Sequence, residues 1–217
     1  MQIKTRYNTG TPASLKELYA GLADKIGTRL AEFSRVRKTA DNERLFSELC
    51  FCLLTPQSRA RICWDAVLRL KGAGLLLRGG PGQVRRCLKG VRFKNKKAEY
   101  VFMARKQLGW IKAEIRGKRS VFELRELLVQ KVYGLGYKEA GHFLRNIGLG
   151  KDIAILDRHI LKNLKLFGVI KNVPASITRK KYLDIEQKTL EFAGKIRIPM
   201  ESLDLLLWAK ETGEVFK

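Results

Sequence analysis

Apolar residues in this chain recur three or four positions apart and nowhere alternate for long enough to make a half-buried strand, which restricts the fold to packed helices. Thr11 and Pro12 suit the N-cap and first position of a helix whose apolar face is Leu15, Leu18, Tyr19, Leu22 and Ile26. Leu45, Phe46, Leu49, Cys52 and Leu53 repeat the pattern and stop before Thr55-Pro56, where a second helix begins and carries Ile62, Cys63, Val67 and Leu70. Gly72 to Gly82, with five glycines and one proline, reads as loop with at most a short helix. Ala98, Val101, Phe102 and Leu108 mark the next helix, Lys112 to Arg119 a basic connector, and Ser120 with Glu123 a capping box opening a helix through Leu124, Leu127, Leu128 and Val132. Ile160, Leu161, Leu164 and Phe167 form a further stripe. The basic run Arg179-Lys180-Lys181 precedes a helix marked by Tyr182, Ile185, Phe192 and Ile196, and a last helix follows Pro199 with Leu203, Leu206, Leu207 and Trp208. The fold class is all-α.

A chain of 217 residues with 45% hydrophobic content can bury a sizeable core as one or two domains. Lys and Arg total 44 against 21 Asp and Glu, a formal net charge of +23. Such a field favours a polyanionic partner, with nucleic acid ahead of an anionic membrane because there is no long apolar span or one-sided basic helix. A Lys-rich solvated surface of the thermophile kind carries the same charge. Cys50, Cys52, Cys63 and Cys87 form no CxxC pair and lie far in sequence from His142 and His159, so they read as free thiols in a reducing compartment, with no zinc site and no disulfide frame. The opening MQIKTRYNTG lacks a hydrophobic signal region, and the expectation is an intracellular protein, cytoplasmic or nucleoid-associated.

The densest chemistry lies between Gly134 and Leu164. Gly134 and Gly136 flank Leu135 in a tight turn, and turn amides followed by a helix N-terminus make a site for a phosphate. Lys138 stands just past the turn. Asp157 returns 19 residues later, at the start of the next helix. Taken singly, Lys138 reads as a phosphate contact or a solvated helix residue, and Asp157 as an N-cap for the helix beginning Arg158-His159.

The Leu-Gly-Tyr-Lys turn, followed by the aspartate of Leu-Asp-Arg-His, resembles the helix-hairpin-helix superfamily of DNA glycosylases, and from about Leu45 to Lys217 the chain is most similar to its small archaeal 8-oxoguanine-DNA glycosylases. The resemblance implies two helical lobes with a cleft between them. Residues 1–40 and 150–217 would form one, and 41–149 a central lobe ending in the hairpin at about 121–149, with Lys138 and Asp157 facing each other across the cleft. The implied activity is excision of 8-oxoguanine from duplex DNA through a Lys138 Schiff base, with Asp157 stabilising the cationic sugar, then cleavage 3′ to the abasic site by β-elimination. The implied partner is duplex DNA containing a damaged base, bound by a monomer.

The same resemblance implies that Gln57, in the exposed link with Ser58 and Arg59, fills the gap left by an extruded nucleotide. Without it, Gln57 is an ordinary solvated glutamine. Arg92, Lys94, Lys96 and Lys97 surround Phe93, which is either a nucleic-acid contact or a core anchor for the following helix; the resemblance favours a wedge against the base opposite the lesion. His142 shares a helix face with Lys138 and either lines a base pocket or packs structurally, and His159 either meets a phosphate or packs against the loop. Asp204, Trp208 and Lys217 are implied as recognition groups: an acceptor for purine N–H groups, a stacking face, and an ammonium with a free carboxylate. The alternatives to each are core packing for Trp208 and a frayed end for Lys217. No metal site is expected beyond a monovalent cation on hairpin carbonyls. No cysteine follows Cys87, so an iron-sulfur cluster is not expected, which argues against an endonuclease III-like enzyme for oxidised pyrimidines. A non-catalytic DNA-binding module would account for the turn and the charge but not for Asp157.

Overall fold

The computed structural model describes residues 10–39 and 41–217. The reading of the opening nonapeptide and the lobe boundary at residue 40 lie outside them. Among the described residues there are eleven helices: α1 (Pro12–Thr39), α2 (Asn42–Leu54), α3 (Ala60–Gly72), α4 (Pro81–Cys87), α5 (Lys94–Lys106), α6 (Leu108–Arg116), α7 (Val121–Lys131), α8 (Tyr137–Asn146), α9 (Arg158–Leu166), α10 (Arg179–Ile196) and α11 (Met200–Thr212). No strand is present among them.

Their apolar faces meet in two clusters. The first joins the buried faces of α2 to α8, from Leu45 and Phe46 to Phe143 and Ile147, and takes in Val36 from the end of α1 and Phe216 from the C-terminal segment. The second joins Leu15 to Phe33 of α1 with Ile160 and Leu164 of α9, Ile185 of α10 and Leu206 of α11. A fully buried Leu or Phe contributes roughly 1.5–3 kcal/mol, so each cluster is a stabilising unit in its own right. The two are joined by a buried ion pair. Arg125 of α7 donates to both oxygens of Glu186 on α10 at 2.5 and 2.7 Å, and Glu186 also accepts from the Ala154 amide at 2.7 Å.

Four boundaries depart from the sequence reading, each for a local reason. α3 begins at Ala60 and not at Thr55, because Thr55 closes α2, its amide donating to Phe51 O and its hydroxyl to Cys52 O. The basic connector is mostly α6, which buries Ile111 and Ile115 and leaves Arg116 exposed. α5 and α6 are separate because the Gln107 amide turns back to Ala104 O. The Arg179-Lys180-Lys181 run sits inside the first turn of α10, an unfavourable end for cations. There Thr178 caps the helix through the Lys181 amide, and Arg179 pairs with Glu126 of α7 at 3.0 Å.

Candidate active site

The hairpin is set by its turn. Ser120 and Glu123 form the reciprocal cap of α7. After Val132 the chain reverses through Gly134 at φ +87°, where an added Cβ would lie 2.4 Å from the Tyr100 ring. Only glycine satisfies both the left-handed backbone and that approach. Gly136 is the N-cap of α8, is exposed and offers no side-chain cap, so the first amides of α8 point outward without a side-chain acceptor, as an anion site requires.

Lys138 lies in this first turn, its side chain 22% exposed, with Nζ 3.4 Å from Thr55 Oγ1 and 3.5 Å from Glu139 Oε1. Asp157 caps α9: one oxygen, Oδ1, accepts from the amides of both His159 and Ile160 at 2.8 Å. The cap thus fixes the carboxylate while Oδ2 takes part in neither bond. Asp204, on α11, pairs with Arg145 at 3.3 Å. Burial raises the Asp204 carboxyl to about 6; Arg145 and Lys138 pull it down, and the charge of Asp157 pushes it up. Lys138, Asp157, Asp204 and Arg145 therefore share one electrostatic neighbourhood.

From Lys138 the same face of α8 continues inward through His142, Arg145 and Asn146, all buried. Both ring nitrogens of His142, Nε and Nη1 of Arg145 and Oδ1 of Asn146 have no hydrogen-bond partner among the described residues. The Lys217 backbone lies beside the imidazole without meeting hydrogen-bond geometry, and burial, reinforced by Arg145 and Lys138, holds His142 neutral. Buried polar atoms are nearly always paired, so five open atoms on one helix face mark a place built to receive polar groups. Lys217 closes this region. Its ammonium donates to Glu48 at 2.5 Å and stands 3.8 Å from the Trp64 ring centroid, and Glu48 also accepts from Asn146 at 2.9 Å. Lys217 is thus buried and fixed, which removes the frayed-end alternative. Trp208 is half-buried, tilted against Phe216 at 6.2 Å between centroids.

The remaining residues divide into two groups. His159 is half-buried with Nδ1 3.8 Å from Glu211 Oε2, and so faces α11. Gln57 and Arg59 are exposed in the α2–α3 turn, and Arg92, Phe93 and Lys94 are exposed at the start of α5. Phe93 is 56% exposed, which excludes the core-anchor reading. Gln57 and Phe93 both adopt left-handed backbone, φ 55° and 57°, a conformation costing about 1–3 kcal/mol for such residues and held only by surrounding structure. The Ser58 hydroxyl joins the two loops by accepting the Arg92 amide at 3.1 Å. Sequence reading missed Glu48 and Thr55 and took Lys97 only as one of the basic residues around Phe93 on a nucleic-acid surface, whereas Lys97 is buried. Glu48 alone carried a signal, as an acid inside the apolar run of α2. Among the described residues no group of three or more His, Cys, Asp or Glu is placed to hold a metal ion, and no helix is long and apolar enough to cross a membrane.

A family model described as 8-oxoguanine DNA glycosylase matches residues 26–198. The chain is 41% identical over 208 residues to an 8-oxoguanine DNA glycosylase/AP lyase of Fusobacterium nucleatum, covering 94% of this chain and 96% of that protein. It is also similar to the crystal structure of the 8-oxoguanine DNA glycosylase of Thermotoga maritima, with a TM-score of 0.86 and 33% identity over 95% of this chain and 98% of the other. A structure of the Methanocaldococcus jannaschii 8-oxoguanine glycosylase/lyase in complex with a 15mer DNA containing 8-oxoguanine matches with a TM-score of 0.86 and 35% identity, over 95% and 99% of the two chains.

Proposed function

The chain belongs to the 8-oxoguanine DNA glycosylase family, and from that premise we propose that it excises 8-oxoguanine from duplex DNA and then cuts the strand as an AP lyase. The observation that carries the reading is Lys138 in the first turn of α8, heading the helix face that bears the unpartnered polar atoms of His142, Arg145 and Asn146, with Asp204 feeling the charges of both Lys138 and Asp157. The damaged nucleotide leaves the stack and its base enters along α8, where the open atoms of His142, Arg145 and Asn146 meet its polar edge. Asp204 accepts a purine N–H, Trp208 supplies a face for stacking, and Lys217 supplies an ammonium that Glu48 holds in place. The neutral amine of Lys138 attacks C1′ as the bond to the base breaks with its electron pair going to the base. Asp157 steadies the positive charge on the sugar, its geometry fixed by the two amides of α9. The nitrogen of the adduct gives up a proton to the departing base, the C1′–O4′ bond opens with O4′ taking up a proton, and the nitrogen lone pair leaves an iminium at C1′; removal of a C2′ proton then expels the 3′ phosphate and breaks the strand.

Outside the pocket, the α8 amides and the basic surface hold phosphates, with Arg59, Arg92 and Lys94 beside the two loops. Gln57 fills the vacated space and Phe93 wedges against the opposite base. The hairpin would hold a monovalent cation through the carbonyls of Tyr133, Gly134 and Leu135, which accept no backbone hydrogen bond among the described residues. The protein works on its DNA as a monomer inside the cell.

The test is a duplex carrying one 8-oxoguanine opposite cytosine, incubated with excess protein and resolved with and without alkali, beside an undamaged control. Strand breakage before alkali treatment, confined to the damaged duplex, is expected. An intact damaged strand under both treatments contradicts the proposal.

A further inference from the structure

Among the described residues, Lys97 is the one lysine that the catalytic reading leaves unused and that the fold nonetheless buries, at 3% exposure in the first turn of α5. Burying an ammonium is costly unless every proton finds an acceptor. Here all three do: Lys97 Nζ lies 2.7 Å from Leu54 O, 2.7 Å from Pro56 O and 3.1 Å from Ser58 Oγ. Those acceptors are the end of α2 and the turn on either side of Gln57. Lys97's own amide donates to Phe93 O at 3.0 Å, and Ser58 Oγ takes the amide of Arg92. The ammonium therefore ties together two of the three loops, among the described residues, in which a non-glycine residue stands in left-handed backbone ahead of a helix: Gln57 before α3 and Phe93 before α5, the third being Arg197 before α11.

We propose that Lys97 is the positioning residue for base extrusion, an internal strut that fixes the separation and aim of Gln57 and Phe93 so that both enter the duplex together. It touches neither the sugar nor the base, so it acts on getting the nucleotide out of the stack and not on the bond chemistry that follows. Apolar surroundings pull its ammonium down to about 8, Cys63 opposing and Lys138 adding to the effect, so near neutrality the three-proton form the strut needs still prevails. Hydrophobic contact between the loops would hold them together but leave their angle free, whereas three directed hydrogen bonds from one nitrogen fix it.

The inference rests on the glycosylase reading above, and one experiment separates the two. Wild type, Lys97→Met and Ser58→Ala are compared in single-turnover cleavage of two duplexes, one with 8-oxoguanine opposite cytosine and one with a preformed abasic site, which has no base to extrude. Lys97→Met keeps the length and removes the donors. Its rate on the 8-oxoguanine duplex should fall by about tenfold or more, the scale of lost hydrogen bonds to a charged group, while abasic-site cleavage changes by less than about threefold. Ser58→Ala, which removes one acceptor and leaves the core filled, should show the same imbalance at smaller size and preserves the test should Lys97→Met fold poorly. Equal losses on both duplexes, or no loss on either, with wild type active, overturn the role of Lys97. A wild-type protein inert on both overturns the function itself.

Discussion

Asp157 carries two roles on one carboxylate, and two substitutions separate them. Oδ1 takes both amide bonds that cap α9, and asparagine is as good an N-cap as aspartate. Asp157→Asn therefore keeps the cap and loses only the charge, which at a helix N-terminus is worth about 0.3–1 kcal/mol. For a chain of this size that is a Tm fall of roughly 1–4 °C. Asp157→Ala loses the charge and the cap, a further ~1 kcal/mol and about 2–4 °C more. Catalysis should not follow that order. If the charge stabilises the cationic sugar, either substitution removes on the order of 3 kcal/mol from the transition state and slows excision about 100- to 1000-fold. The assay pairs thermal unfolding with single-turnover excision of 8-oxoguanine from a duplex at a temperature where all three proteins are folded. Near wild-type excision by Asp157→Asn, with only Asp157→Ala impaired, would show that Asp157 is no more than a cap and would refute the reasoning.

Glu186→Gln should strand the buried Arg125 guanidinium and cost about 3–5 kcal/mol, a Tm fall of more than about 6 °C in a thermal melt, whereas Arg125→Met with Glu186→Leu should lose less. Gly134→Ala adds left-handed strain of about 1–2 kcal/mol to a methyl group placed 2.4 Å from Tyr100, itself about 1–3 kcal/mol, so Tm should fall by at least about 4 °C and affinity for undamaged duplex, read by anisotropy, should fall with it. Asp204 titrates at about 6 in the folded protein against an ordinary 3.8, so the folded state binds more protons between those values. Ionised Asp204 therefore costs stability above pH 6, and that cost disappears as pH falls toward 3.8. Its acceptor role follows the opposite sense. Excision should decline as pH drops through about 6, and this limb of the profile should be missing in Asp204→Asn.

Helices whose buried face is set by local spacing were legible, as in α9 and α11, and so was the α7 cap, because Ser120 and Glu123 are three residues apart and both partners are visible in one glance at the sequence. Thr55-Pro56 misled because threonine before proline suits the start of a helix, yet here Thr55 ends one. The α5–α6 break has no glycine or proline at Gln107 to announce it. Lys138 and Asp157 could be singled out because one stretch of chain holds both. The pairings around them could not be read, since Lys217 meets Glu48 across 169 positions and Lys97 meets Leu54 across 43, contacts that only the folded chain brings about. Phe93 defeats propensity outright: an aromatic residue in left-handed backbone at a helix start is specified by its surroundings, not by itself.

The measurement that tests the central claim most directly is borohydride trapping on a duplex with one 8-oxoguanine opposite cytosine, with wild type and Lys138→Gln side by side and an abasic-site duplex in the same gel. Reduction of the iminium should freeze wild type onto the strand as a covalent adduct on both duplexes, and Lys138→Gln should form none while still shifting the DNA. An adduct of undiminished yield from Lys138→Gln, or none from wild type on either duplex, would contradict the assignment of Lys138 as the nucleophile.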